Sequence, residues 1–530
     1  MKKIVGKTKI IFVTGGVVSG IGKGIIAASV GNILKARGFK VFSQKLDPYL
    51  NIDPGVLSPY EHGEVYVTHD GGETDLDLGH YERFTDEKLT KDSNYTSGKI
   101  FLNVIDKERS GEYQGKTVQI IPHFTNEIIL LIAKTAQTHK PDFLIVEIGG
   151  TVGDMESIAF IRAIAEFGFF NPDLAYFIHT TYIPFLETSK DFKTKPTQYS
   201  ISSLLTMGIK PNMIFLRSHT ELPKEIMTKI SKSILLEEEK IIPLHDVESV
   251  YEIPLYLEQL KVAENILKEF NIKPRDPDHK KWTNFIKKVK TPKTKKLIIG
   301  MVGKYTSFED AYKSIKEALF ISSVYQGIEF ELKWISSEDI TTNNIKEKIG
   351  KVDGIVILPG FGLRGFEGKI TAAIYSREND IPTLGICLGM QVMTIAHARL
   401  LGHKDATSSE ITKEGMLIFD LIDKNENSLG GTLRLGESKV SFKEGTQFRS
   451  IYNKESAGER HRHRYEVNKK YVKILENDEF VFSGFDSKTG LVETCEIKGK
   501  KFYLGTQYHP EFSATPMNPH PLFTAFLKAC

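Results

Sequence analysis

The chain has 530 residues, more than one hydrophobic core accommodates, so two domains of about 250 residues each are expected. Hydrophobic residues make up 40% and charged residues 26%, ordinary globular values that exclude a disordered chain, and 70 Lys and Arg against 67 Asp and Glu leave a net charge of +3, which makes no case for a nucleic-acid or membrane partner. Three cysteines without paired spacing exclude a disulfide scaffold and point to a reducing compartment, the cytoplasm by default; no apolar run is long enough to span a bilayer.

Residues 9–13 (KIIFV) predict a strand and residues 23–37 a helix, with Gly38 beyond its end. Between them stands Thr14-Gly15-Gly16-Val17-Val18-Ser19-Gly20-Ile21-Gly22-Lys23-Gly24, a cradle in which backbone N–H groups and a helix N-terminus can hold phosphate. It is a variant of G-x-x-x-x-G-K-[ST]: Val17 stands where the first glycine belongs and Gly24 where the hydroxyl belongs. Lys23 can still reach a β- or γ-phosphate. The missing hydroxyl removes a usual magnesium ligand, so carboxylates must supply one. Asp75 and Asp77, in the run ETDLDLGH, are candidates, as is Glu147, which closes a buried strand just before Gly149-Gly150. Read by themselves, each of these acids is equally a solvated side chain.

Further strands are expected at residues 40–46, 142–148, 175–179 and 213–216; their alternation with helical stretches argues for a parallel sheet covered on both faces. Residues 271–295 carry Pro274, Pro277, Pro292 and many lysines, and read as a linker with one short helix around Trp282. It separates a domain at 1–270 from one at 296–530. The pattern then restarts with strands at 297–302, 329–335, 354–358 and 383–386 and a helix from about residue 310.

Gly385-Ile386-Cys387-Leu388-Gly389 places a cysteine on a strand-to-helix elbow, where neighbouring N–H groups can hold an oxyanion. His509 is the natural base and Glu511 its orienting carboxylate, giving Cys-His-Glu in the roles of Ser-His-Asp. Gly360, in Gly360-Phe361-Gly362, is a further oxyanion donor. Cys495 reads as core. The cluster Arg460-His461-Arg462-His463-Arg464 lacks the interleaved aromatics of a nucleic-acid surface beyond Tyr465.

The two ends join in a resemblance. Over essentially its whole length the chain resembles the CTP synthase family, in the blocks KLDPY (45–49), HGEV (62–65), ETDLDLGHYERF (73–84), VEIGGTVGD (146–154), KTKPTQ (193–198), GICLGMQ (385–391) and RHRHRYEVN (460–468). The resemblance implies two doubly wound α/β domains, a P-loop-like synthetase domain followed by a class I glutamine amidotransferase domain. It implies that ATP phosphorylates the C4 oxygen of UTP and that ammonia from glutamine displaces the phosphate. Gly20, Ile21, Gly22, Lys23, Gly24, Ile25 and Asp77 would bind ATP, with magnesium on Asp77 and Glu147. Ser19, Lys45, Gln119, Lys193, Thr194, Lys195, Pro196, Thr197 and Gln198 would hold UTP. Asp154, Met155 and Glu156 would shape the pocket where CTP inhibits. Gly360, Leu388, Gly389, Met390, Gln391, Glu410 and Arg462 would hold glutamine, Arg462 through its bidentate fork. GTP would act as allosteric activator through a lid at residues 430–436. A homotetramer is implied, with filaments as an added possibility, and ammonia would travel internally.

Two positions depart from the family pattern: Pro359 stands where Pro-Gly-Gly-Phe-Gly has a glycine, and Glu239 falls where a lysine is common on the UTP side. Other amidoligases with a fused glutaminase would share the loop and the Cys-His-Glu set but would not require residues 193–198 or the Asp75-Leu76-Asp77 run. A switch ATPase of the partitioning type would carry a lysine at Thr14 and no thiol hydrolase.

Overall fold

The structure, a computed structural model, describes residues 6–421 and 433–530. Residues 430 to 432 of the expected lid lie outside the described residues. Two compact units emerge: the described residues up to Pro54 with Asp77–Ile286, and Gly55–Leu76 with Lys287–Cys530. The grouping is not contiguous, because a short segment early in the sequence belongs with the second unit.

In the first unit, seven strands among the described residues form one parallel sheet. They are β1 (Lys9–Gly15), β2 (Val41–Asp47), β3 (Asn94–Thr96), β4 (Phe143–Ile148), β5 (Ala175–Tyr182), β6 (Met213–Ser218) and β7 (Ile241–His245), in spatial order β7-β6-β5-β1-β4-β2-β3. Strands β2 and β4 are buried throughout and β1 beyond Lys9, which is why they read as unbroken apolar runs rather than alternations. Helix α1 (Lys23–Ala36) starts at Gly22, whose φ of 91° favours glycine, and stops before Gly38 at φ 76°. The register sets Glu147 beside Val13 on one neighbour and Lys45 on the other, and Lys45 beside Asn94. Charged groups thus collect at the carboxyl edge of a parallel sheet, where such folds bind ligands. Helix α2 (Asp77–Thr85) and helix α3 (Lys195–Thr206) complete what the site needs.

The composition break of the expected linker contains a helix, α4 (Lys280–Lys290). Its Trp282 is buried, donating through Nε1 to the Tyr251 carbonyl at 2.9 Å.

In the second unit, β8 (Lys295–Gly303), β9 (Ile328–Ser336), β10 (Gly354–Ile357), β11 (Thr383–Ile386), β12 (Arg434–Phe442), β13 (Ser456–His463), β14 (Phe480–Asp486), β15 (Val492–Ile497) and β16 (Tyr503–Thr506) form a sheet of order β9-β8-β10-β11-β16-β15-β14-β12-β13. The first five are parallel and the rest antiparallel. Helix α5 (Lys313–Gln326) covers one part of this unit, and α6 (Phe366–Glu378) packs beside α7 (Leu388–Leu400). In the segment Gly55–Leu76, a small hairpin pairs Tyr66 with Thr74 and Val67 with Glu73, and the Glu64 carboxylate accepts from the Ser314 N–H at 2.8 Å.

The two glycines around Cys387 are packing requirements. A Cβ on Gly389 would collide with the Ile357 carbonyl oxygen, and one on Gly385 with Met393 Sδ and the Gly389 backbone. Gly389→Ala is expected to lower stability by about 1–3 kcal/mol. A thermal unfolding midpoint unchanged from the parent would contradict this close strand–helix approach.

Candidate functional site

In the first unit the phosphate cradle turns on positive φ angles at Val17 (83°), Gly20 (69°) and Gly22 (91°), leaving Ser19 and Gly20 exposed at the mouth. Ile21 and Gly24 are buried beneath, and Ile25 is half-buried on α1. Lys23 Nζ donates to the Gly150 carbonyl at 2.7 Å. A Cβ on Gly24 would stand 2.5 Å from Asp77 Oδ1. The carboxylate therefore lies against the position from which the standard loop projects its hydroxyl, which accounts for the glycine in the variant motif.

Asp77 opens α2 and Tyr81 lies one turn later on the same face. Lys45 Nζ is ion-paired with Asp77 Oδ2 and lies 3.5 Å from Asp47 Oδ1; the Tyr81 hydroxyl donates to Glu147 Oε2. Asn94 Nδ2 fixes Asp47 Oδ2 at 2.7 Å. Burial, and then the nearby Asp77 charge, raise the Glu147 carboxyl above its usual range. Burial also acts to raise Asp77, but Lys45, His80 and Lys23 together outweigh it, leaving that carboxyl below its usual range. Burial, with Lys45 beside it, lowers Lys23. The buried Glu147 carboxylate and the half-buried Asp77 carboxylate, close enough for the Asp77 charge to raise Glu147, are hard oxygens suited to magnesium, which takes one or two carboxylates together with phosphate oxygens.

His179 was not foreseen. Its Nδ1 lies 3.0 Å from Thr14 Oγ1 and its Nε2 2.8 Å from Ser200 Oγ, so it ties the start of the cradle to α3; burial, and then Lys23, hold it neutral with a pKa pushed down to about 3. On and beside α3, Thr194 and Thr197 are buried, Pro196 and Gln198 half-buried and Lys195 exposed, while Lys193 pairs with Asp191 at 3.0 Å. Gln119, Asp154, Met155 and Glu156 are exposed. Of the nucleotide residues named from the sequence, the structure gathers Lys23, Lys45, Asp77 and Glu147 in one cluster. Glu239 is exposed, 3.8 Å from Lys268.

In the second unit Cys387 takes φ 54° and ψ −106°, a strained elbow between β11 and α7. Its N–H donates to the Thr506 carbonyl at 2.7 Å, joining the elbow to the end of β16, from which the chain runs on to His509. His509 caps a short 3-10 turn begun by Pro510, and its Nδ1 lies 2.8 Å from Glu511 Oε1. Burial acts to lower the imidazole pKa, but the Glu511 carboxylate and then Cys387 outweigh it, pushing it up to about 10. A histidine held protonated in the same cavity as Cys387 is the partner a thiol nucleophile requires.

Cys387, His509, Glu511, Gly360 and Arg462 line one cavity of about 240 Å³, together with Tyr305, Phe361 and residues of the 55–65 segment. That volume suits an amino-acid-sized ligand. Arg462 lies in it with Nε 2.8 Å from Glu73 Oε1, so its fork is engaged within the unit. Glu410 is held by the Gly362 N–H at 2.5 Å. Leu388, Met390 and Gln391 are buried behind the elbow, where Gln391 Nε2 reaches Gln507 Oε1 at 3.3 Å. Gln507, unforeseen although it stands two residues before His509, directs Nε2 to Cys387 Sγ at 3.8 Å. Also unforeseen is buried Lys304, whose Nζ donates to the Phe361 and Gly362 carbonyls and whose pKa burial pushes down to about 8 against the pull of Glu410. Cys495 is core, as read, packed under Gly505.

A family model described as "CTP synthase N-terminus" matches residues 9–272, and one described as "Glutamine amidotransferase class-I" matches residues 307–529. The CTP synthase of Mycoplasmopsis pulmonis is 55% identical over 526 residues, covering 98% of this chain and 98% of its own. That of Bacteroides fragilis is 45% identical over 529 residues, covering 99% of each. A solved glutaminase domain of the Trypanosoma brucei CTPS with bound acivicin aligns with a TM-score of 0.42 and 33% identity, covering 44% of this chain and 93% of that one.

The raised His509 pKa carries a stability signature. Its folded value of about 10 exceeds the ordinary 6.5, so the imidazolium contribution is full below about pH 6.5 and is lost as pH rises through about 10. Glu511→Gln is expected to lower that pKa, to flatten the stability loss between pH 7 and 10, and to slow glutamine hydrolysis by about 10²-fold or more. A histidine titration by NMR that is unchanged in the variant would contradict the pairing.

Proposed function

The chain belongs to the CTP synthase family, ligases that take their nitrogen from glutamine, and from that premise we propose how its own residues divide the work. The overall reaction is ATP, UTP, glutamine and water going to ADP, phosphate, CTP and glutamate. The observation that carries the second half is Cys387 on its strained elbow sharing one cavity with the His509–Glu511 pair.

The Cys387 thiolate attacks the amide carbon of glutamine and the carbonyl π electrons pass to oxygen. His509 gives its proton to the departing nitrogen, releasing ammonia and leaving a thioester. Water, deprotonated by His509, then cleaves the thioester to glutamate. The N–H of Gly360 and the backbone beside Leu388 and Gly389 receive the oxyanion. Arg462 takes the carboxylate of glutamine after exchanging Glu73 for it, and Glu410 takes the amino group.

In the first unit, Gly20, Ile21, Gly22, Gly24 and Ile25 cradle ATP phosphates and Lys23 and Lys45 neutralise the transferring group. Asp77 and Glu147 would hold magnesium, which would supply charge neutralisation on the phosphate oxygens. The γ-phosphoryl group passes to the C4 oxygen of UTP; ammonia then attacks C4 and phosphate leaves. Ser19, Gln119 and residues 193–198 hold UTP, and Asp154, Met155 and Glu156 belong to the pocket where CTP inhibits. GTP activates through residues 430–436. Functional boundaries at 1–270, 271–295 and 296–530 follow, with Gly55–Leu76 serving the glutaminase. A homotetramer accords with the exposed apolar Leu102, Ile105, Met155, Ile158 and Phe169 on the first unit, and a cytoplasmic location with the free cysteines.

Cys387→Ala should abolish glutamine-dependent CTP formation, by about 10⁴-fold or more, and leave synthesis from ammonium chloride near the parent rate. Loss of both in a folded variant contradicts the division of labour. Asp77→Asn should remove synthesis from either nitrogen source while glutamine hydrolysis continues; retained synthesis from ammonium refutes the metal assignment.

A further inference from the structure

The turn at residues 358–362, where Pro359 stands in place of a glycine, is held by the side-chain nitrogens of two buried lysines. Lys369, on α6 and fully buried, donates through Nζ to the Leu358 carbonyl at 2.5 Å and the Pro359 carbonyl at 3.3 Å. Lys304, 3% exposed, donates to the Phe361 and Gly362 carbonyls. The Gly362 N–H in turn donates to Glu410 at 2.5 Å. A lysine is among the residues least often fully buried, and an apolar side chain would fill the same space at lower cost. The donors are therefore what the position retains.

A trans peptide points its C=O and N–H in opposite directions. The Pro359 carbonyl and the Gly360 N–H share one peptide, so fixing the oxygen on Lys369 aims the N–H the other way. Gly360 N–H donates to none of the described residues, and Gly360 shares its cavity with Cys387. Pro359 brings no N–H of its own, so this turn relies on side-chain donors for its orientation.

We propose that Lys369 is a positioning residue for glutamine hydrolysis, setting the Pro359–Gly360 peptide so that the Gly360 N–H meets the oxyanion formed when Cys387 attacks. The inference rests on the glutaminase reading above. Lys304 holds the other end of the same turn.

Lys369→Met keeps length and apolar bulk but removes the donors. The expected result is a kcat for glutamine hydrolysis reduced by about 10- to 100-fold, with KM within about two-fold of the parent. Alkylation of Cys387 by iodoacetamide, which forms no oxyanion, should keep its parent rate. Glutamate γ-semialdehyde, whose adduct with the thiol carries the oxyanion, should bind more weakly by the same factor as kcat falls. A variant with parent kcat overturns the proposal, as does one in which alkylation falls together with kcat, since that marks a collapsed site. Should Lys369→Met fail to fold, Lys369→Leu, which also removes the donors, is expected to show the same split, and its absence in a folded variant is equally decisive. A parent enzyme that hydrolyses no glutamine would refute the glutaminase reading; parent hydrolysis with an undiminished variant refutes the positioning role alone.

Discussion

The backbone of Cys387 stands in a conformation that costs an L-residue of order 1–3 kcal/mol, and the second unit is arranged so that this cost is met by its packing. Gly385 and Gly389 let β11 and α7 approach until no Cβ fits between them and their neighbours. The Cys387 N–H is bound to the Thr506 carbonyl, which makes β16 the neighbour of the nucleophile's strand. Because the chain leaves β16 only three residues before His509, strand order alone brings the base to the thiol. The Glu511 carboxylate then holds His509 protonated in the cavity that the thiol lines.

The first unit solves a related problem with charge. Register at the carboxyl edge aligns Glu147 with Lys45, and the opening of α2 brings Asp77 to both. The glycine that replaces a hydroxyl in the cradle is a consequence: Gly24 has to be small because the Asp77 carboxylate lies against it. A loop that looks defective beside its standard form is one in which a carboxylate oxygen from another element lies against the position of the missing hydroxyl.

What was legible in the sequence follows from the same physics. Parallel strands buried on both faces leave unbroken apolar runs, so β1, β4 and β11 stood out. Glycines forced by positive φ or close approach mark the cradle and the elbow. Cys387, His509 and Glu511 could be joined because each is of a type that chemistry demands and the fold brings them into one cavity. Residues whose role depends on a distant partner were hidden. Lys369 reads as one more surface lysine until α6 is seen to bury it, and His179 as a strand residue until Ser200 is seen beside it. The allegiance of Gly55–Leu76 to the second unit leaves no local pattern, since the Glu64–Ser314 bond is invisible to periodicity. The antiparallel half of the second sheet was likewise not anticipated, because its strands, such as β15, are as buried as the parallel ones.

The most direct test of the account is CTP formation by the unmodified chain from UTP, ATP and magnesium, run in parallel with glutamine and with ammonium chloride as nitrogen source. The account predicts CTP from both, with glutamate released only in the first. A folded protein that hydrolyses glutamine yet forms CTP from neither source would contradict it.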